Sequence, residues 1–394
     1  MKERTMQMSE LEQGRHAVLP EPNHDEEARQ QFVRVFKEHL VARIHPGNRI
    51  AYETRAKPQF EKTHHRPPAD RHEVRDVMVD DPHYKMFSSM LRTSQEMMWS
   101  SMQRPVERTL PELIERSKSV NDAGGTLRLD ADAEIPRYHL SVDIHCQPGA
   151  YHTEVVPDDI APGAIYDTAV FTYAMGQMGP ENNDMGQSLV EWLHAERPNF
   201  KPKRILDMGC AVGHSTLPYA VAWPEAEVHA IDVAAPMLRY AHARAQSLGV
   251  PIHFSQQNAE HTDFEDESFD LVVSHILLHE TSEKAIHNVI RECHRLLRDG
   301  GLMIHAETPP YKGMDPCDAF LLDWDTYNNN EPFWGRAHDI DYVALSERGG
   351  FDPDKVFEVM ADSAFQVAKA KRSHVFQGGD FGGGGFWFLY GAEK

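Results

Sequence analysis

ILDMGCAVGHST, residues 205–216, is an apolar run that breaks into Asp207, Gly209 and Gly213 and then leads into a helical pattern. A buried parallel strand reads as such a run, and the glycines let the chain turn sharply from strand to helix. A ligand at a turn of this kind lies outside the carboxyl ends of the strands of an open α/β sheet. The glycine spacing of a nicotinamide-dinucleotide site is G-x-G-x-x-G, but counted from Gly209 this chain has Ala211 and His214 at the second and third places. The motif that remains is D-x-G-C-x-x-G.

Outward from that turn, strands and helices alternate. Strands are expected at 204–209, 227–232, 252–257, 270–275 and 302–307, with two late ones near 355–360 and 386–391. That order implies a mostly parallel sheet with crossover helices. The expected fold class is α/β, a Rossmann-like seven-stranded sheet with flanking helices, preceded by a mostly helical accessory region.

The motif D-x-G-C-x-x-G resembles the first motif of the class I S-adenosylmethionine (SAM)-dependent methyltransferases, and later segments resemble further motifs of that family. Asp232, nineteen residues after Gly213 at the end of a strand, matches the acid that accepts the ribose hydroxyls, with Val233 beside it. QNAEH follows the next strand, and Asn258, Ala259 and Glu260 match the adenine positions. FDLVVSHILLHE resembles the segment whose end faces the transferred methyl group, which puts Ser274, His275 and Ile276 beside the reaction centre. RLLRDGGLMI, residues 295–304, resembles the turn into the fifth strand.

The resemblance implies SAM as cofactor and a methyltransferase of the small-molecule branch. Tyr166, Asp207, Gly209, Cys210 and Gly213 join Asp232, Val233, Asn258, Ala259, Glu260 and Ser274 as expected cofactor residues. Asp207 has a second reading, as a brace for the glycine loop. SAM carries a sulfonium and an ammonium, so carboxylates near it attract rather than repel. Methyl transfer is an in-line displacement, for which the protein aligns the acceptor and takes up a proton where needed. His275, His279 and Tyr173 are the catalytic candidates. Acceptors at sulfur, oxygen, nitrogen and carbon stay open, and so do a protein or RNA methyltransferase and a SAM-binding protein without transfer.

Composition narrows the classes. A length of 394 residues suits a catalytic core with an added piece. The net charge of −21, from 40 basic and 61 acidic residues, disfavours a nucleic-acid substrate. No apolar stretch is long enough to span a membrane, and the polar N-terminus lacks a secretory pattern, so the cytoplasm is expected. Cys146, Cys210, Cys293 and Cys317 stand without CxxC spacing and read as free thiols. His145 and His152 flank Cys146 in HCQPGAYH, a polar segment placed to reach the acceptor, but their spacing matches no zinc motif and no metal is expected.

Residues 1–28 read as a loose tail, 29–164 as the accessory, acceptor-binding region, and 165–394 as the SAM-binding domain. Within the accessory region a helix is expected over 31–43, a loop over 45–72, two helical patterns split near Pro105 between 82 and 119, and strands at TLRLDA and YHLSVDIHC. The aromatic insertion 309–338 suits a lid or pocket wall, core packing or a dimer contact, and a homodimer is allowed. GGDFGGGGF, residues 378–386, reads as a turning connection.

Overall fold

The computed structural model describes residues 12–365 and 385–394. Its centre is a sheet of eight strands: β1 (Gly125–Arg128), β2 (Arg204–Met208), β3 (Glu227–Asp232), β4 (Ile252–Gln256), β5 (Phe269–His275), β6 (Leu297–Glu307), β7 (Val356–Asp362) and β8 (Phe386–Glu393). Their order across the sheet is β1-β4-β3-β2-β5-β6-β8-β7. The pairs from β1 to β6 are parallel, whereas β8 runs antiparallel to both β6 and β7. The fold is Rossmann-like α/β, with eight strands rather than seven. Most of the linker GGDFGGGGF falls outside the described residues.

The extra strand is TLRLDA, expected in the accessory region. It leaves that region and pairs with the outer edge of the sheet, Gly125 opposite Ile252. YHLSVDIHC, in contrast, is not a strand. It forms a helical turn at Arg137–Leu140 and a tight turn at Ile144–Cys146. Its alternation is broken where His145 and Cys146 take left-handed backbone angles, φ 54° and 63°.

Both sheet faces are covered, so the inner strands are apolar on alternate and adjacent positions alike. Ile205, Leu271, Ile304 and Leu389 face a layer containing Leu189, Leu193, Tyr219 and Leu238. Leu206, Met208, Val272 and Met303 face Ile286, Val289, Ile290 and Leu345 on the other side.

The accessory region is more helical than its sequence suggests. Residues 12–23 are docked rather than loose, with Val18 fully buried. The first helix begins at His24, because Asn23 and Glu26 form a reciprocal capping box. The expected loop 45–72 contains helices Pro46–Ala51 and Lys57–His64, with a third at Arg71–Met78. Pro46 and Pro58, which read as breakers, sit in first-turn positions where the missing N–H costs nothing.

Pro82–Ser119 is one helix of 38 residues, with Pro105 and Pro111 inside it. An interior proline costs about 3 kcal/mol. Here the Ser101 carbonyl that Pro105 cannot serve takes the Gln30 side-chain amide at 3.4 Å. Burial of Met98, Met102, Val106 and Leu113 against Ile160, Ala164, Met237 and Tyr240 offsets the rest.

The insertion 309–338 forms helices Pro316–Leu322, Trp324–Asn328 and Trp334–Ala337. Phe320, Leu321 and Trp324 share a core with Tyr52, Val74, Met78 and Phe87 of the accessory helices. Arg71 bridges the two, at 3.3 Å from Asp323 and 2.6 Å from Asp339. Tyr311 and Trp334 are buried as well, and Tyr327 is exposed.

Candidate functional site

A cleft enclosing about 1500 Å³, part of it open to solvent, lies at the carboxyl ends of β2, β3 and β5. The loop after β2 forms its floor. Gly209 and Gly213 take φ of 71° and 76°, and Ala211 between them 46°. A side chain on Gly209 would be strained at this left-handed φ and would also place its Cβ 2.6 Å from Leu277 Cδ1, which would have to shift. Cys210 lines the same floor, its thiol pushed well above the usual range by burial and then by Asp232 and Asp207.

Asp232, at the end of β3, accepts from the backbone N–H of Ala211 at 3.0 Å and of Ala234 at 2.9 Å. Burial raises its carboxyl above the usual value despite those two donors. A carboxylate has four lone-pair sites, so two remain for ligand hydroxyls. Asp207 sits behind the loop, taking the Thr216 hydroxyl on Oδ2 at 2.5 Å and facing His275 Nδ1 across 3.2 Å on Oδ1. Both oxygens are engaged within the protein, one by Thr216 after the glycine turn and one by His275 at the end of β5.

His275 is held from both sides, since its Nε2 lies 2.9 Å from the Tyr219 hydroxyl. Burial pushes the Tyr219 phenol well up, so it remains a donor. A ring with Nδ1–H donating to Asp207 and Nε2 accepting from Tyr219 satisfies all three groups.

Among the expected residues, Tyr166, Tyr173, Asp207, Gly209, Cys210, Asp232, Val233, Asn258, Ala259 and His275 line the cleft. Four do not. Gly213 faces Leu217 and Phe254 and serves the turn. Ser274 turns into the sheet, its hydroxyl 2.6 Å from His305 Nδ1. Glu260 is held by Tyr138 and Asn288, at 3.1 and 2.7 Å. His279 is fully buried behind the wall, with Nδ1 2.7 Å from Glu307.

The accessory region supplies wall residues that the motifs gave no sign of: Gln95, Met98, Trp99, Tyr138 and His139. His145 and Tyr151 line the wall too, and both belong to the polar segment singled out in the sequence. Glu280, one residue past His279, lines the cleft beside His145. No residue of the insertion 309–338 lines the cleft among the described residues. Ile276, a β-branched residue at φ 57°, also reaches it.

Asp167 anchors the covering helix Ala161–Tyr173. Its buried carboxylate meets His16 at 2.9 Å, His214 at 2.7 Å and the Tyr240 hydroxyl at 2.8 Å. Burial alone would raise it, yet His214, His16 and Arg244 hold it well below the usual carboxylate range. His214 follows the glycine loop directly, so this cluster ties the docked segment 12–23 to the cleft floor.

The charged lining decides what the cleft suits. Asp207, Asp232 and Glu280 face it, and no Lys or Arg does among the described residues. A pyrophosphate would find acids where it needs donors, whereas a sulfonium and an ammonium find counter-charges.

Residues 205–301 match the methyltransferase domain family. Over those residues the chain carries a methyltransferase domain. It is similar to demethylmenaquinone methyltransferase of Thermus thermophilus, 32% identical over 126 residues, covering 32% of this chain and 54% of the relative. It is also similar to ubiquinone biosynthesis O-methyltransferase of Pseudomonas syringae pv. tomato, 33% identical over 120 residues, covering 30% of this chain and 50% of the relative. The chain spans about half the length of the curated relatives it matches. A phosphoethanolamine N-methyltransferase of Haemonchus contortus is a solved structural neighbour, with TM-score 0.41 and 17% identity over 58% of this chain and 57% of that one.

Proposed function

We propose that this protein transfers a methyl group from SAM to a small-molecule acceptor enclosed between the glycine loop and the accessory region. The observation that carries the reading is the cleft at the strand ends, with three carboxylates and, among the described residues, no Lys or Arg in its lining. Bound SAM supplies an electrophilic methyl carbon. Asp232 would hold the ribose through its free lone pairs, Val233, Asn258 and Ala259 would border the adenine, and the Gly209 turn would admit the methionine end. The related proteins' names concern quinone and acyl-carrier substrates, which supports a small acceptor here.

The acceptor side is apolar and aromatic, with Met98, Trp99, Tyr138, Tyr151, Tyr166 and Tyr173 around it. Such walls exclude water and orient a flat or hydrophobic molecule. The new bond forms to the methyl carbon as the carbon–sulfur bond breaks, its electron pair stays on sulfur, and a proton on the acceptor leaves to a base or to water. His275 and Tyr173 are the proposed side chains at the acceptor. Because both His275 nitrogens are engaged, it acts by positioning unless the Tyr219 hydroxyl turns away.

Calorimetry with SAM, followed by radiolabelled methyl transfer to a small-molecule extract, total protein or RNA, tests the reading. Label in the small-molecule fraction is expected. Label in protein or RNA alone moves the substrate to another class, and SAM binding without transfer removes the catalytic role.

A further inference from the structure

In the cleft wall and just behind it, His145 and His279 are arranged in a way that the methyltransferase reading does not require. His145 Nδ1 lies 2.9 Å from Glu331 Oε1, and His279 Nδ1 lies 2.7 Å from Glu307 Oε2. Each imidazole is thus tied to a carboxylate through Nδ1, the arrangement by which proteins aim Nε2 at a metal. The two rings and Glu280 come together. His145 Nε2 is 2.9 Å from Glu280 Oε1, and ligand atoms of His145, His279 and Glu280 all lie within 4.8 Å of one another.

The independent sign is an orphan. His279 Nε2 is buried with no hydrogen-bond partner, and so is Glu331 Oε2, 3.8 Å away. A buried polar atom left unpaired costs about 1–3 kcal/mol and calls for a ligand. Four carboxylates, Glu280, Glu307, Glu331 and Asp325, crowd around the two imidazoles, with Lys37 facing Asp325 and His139 facing Glu280.

We propose that His145, His279 and Glu280 bind a divalent first-row transition-metal ion, with Glu331 and Glu307 fixing the two rings. Two histidines and one carboxylate on one side of an ion leave its other positions open. His145 and Glu280 line the cleft, so those positions face the acceptor. Ligand distances of about 2.1 Å place neighbouring ligand atoms about 3 Å apart, which the side chains reach by closing around the ion. The backbone is already fixed for it: Gln95 Nε2 and Trp99 Nε1 both donate to the His145 carbonyl, at 3.1 and 2.6 Å. The ligands come from separate stretches of chain, which is why spacing gave no metal motif. The site stands without the methyltransferase reading, and only the ion's contact with an acceptor rests on it.

The test uses the full chain stripped by a chelator and titrated with Co²⁺, followed by calorimetry and visible absorption. One tight equivalent is expected, weakened tenfold or more in both His145→Asn and Glu280→Gln, with circular dichroism unchanged. Absence of a tight equivalent, or wild-type affinity in either variant, overturns the site. Should the variants fail to fold, anomalous scattering from Co²⁺-soaked wild-type crystals decides it, since a peak must appear between His145, His279 and Glu280. A peak elsewhere alone overturns it. SAM calorimetry on the same metal-free protein separates this failure from failure of the methyltransferase reading.

Discussion

At the scale of the residue, Asp232 and Gly209 carry the cofactor reading. Replacing Asp232 by Ala removes charge-assisted hydrogen bonds worth about 1.5–3 kcal/mol each. With two ribose hydroxyls at stake, SAM affinity is expected to fall about a hundredfold or more by calorimetry on folded protein; unchanged affinity would place the ribose elsewhere. Gly209→Val forces a left-handed β-branched residue against Leu277 and should abolish binding, with circular dichroism checking the fold. Asp167 belongs to stability instead. Its folded pKa is depressed, so its contribution is present above the unfolded value of about 4 and fades as pH falls toward the folded one. Asp167→Asn should therefore cost about 3–5 kcal/mol in urea unfolding at pH 7, and the gap to wild type should narrow below about pH 4. Asp207, Gly209 and Asp232 were legible in sequence because a local motif dictates each. His145 and Glu280 were not placed together, since only tertiary structure brings them into one wall. Ser274 and His279 show the limit of motif reading: alternation along β5 turns Ser274 into the sheet, and the tight turn that follows carries His279 behind the cleft rather than into it.

At the scale of the element, the helix Pro82–Ser119 supports one wall of the cleft. Trp99 both lines the cleft and holds the His145 carbonyl, so Trp99→Phe keeps the ring while cutting that bond. We expect kcat to fall several-fold with the SAM Kd unchanged; a weakened SAM Kd with normal turnover would assign the helix to the cofactor side. The core strands were readable because a short apolar run closed off by glycine or charge fits a buried strand and is too brief for a helix. The helices of 46–78 were not, because prolines at their first turns look like loop signals until the tertiary contacts with the insertion are seen. The two prolines of the long helix misled for the related reason that packing overrode propensity.

At the scale of the molecule, the accessory region and the sheet domain share one interior. A chain beginning at residue 160 loses β1 and uncovers Ile160, Ala164, Ile165, Met237 and Tyr240. It is expected to be insoluble or to lack a cooperative thermal transition. A soluble, cooperatively melting fragment with SAM affinity would show that the two parts fold separately. The sheet order has a further consequence for synthesis. Strand β8 is made after β7 yet lies between β7 and β6. As the chain leaves the ribosome, β7 has no place to dock until β8 has followed it, and β6 meanwhile shows a bare hydrogen-bonding edge of the sort that recruits neighbouring chains. Slowing translation across residues 356–393 should lengthen that interval and favour aggregation over folding.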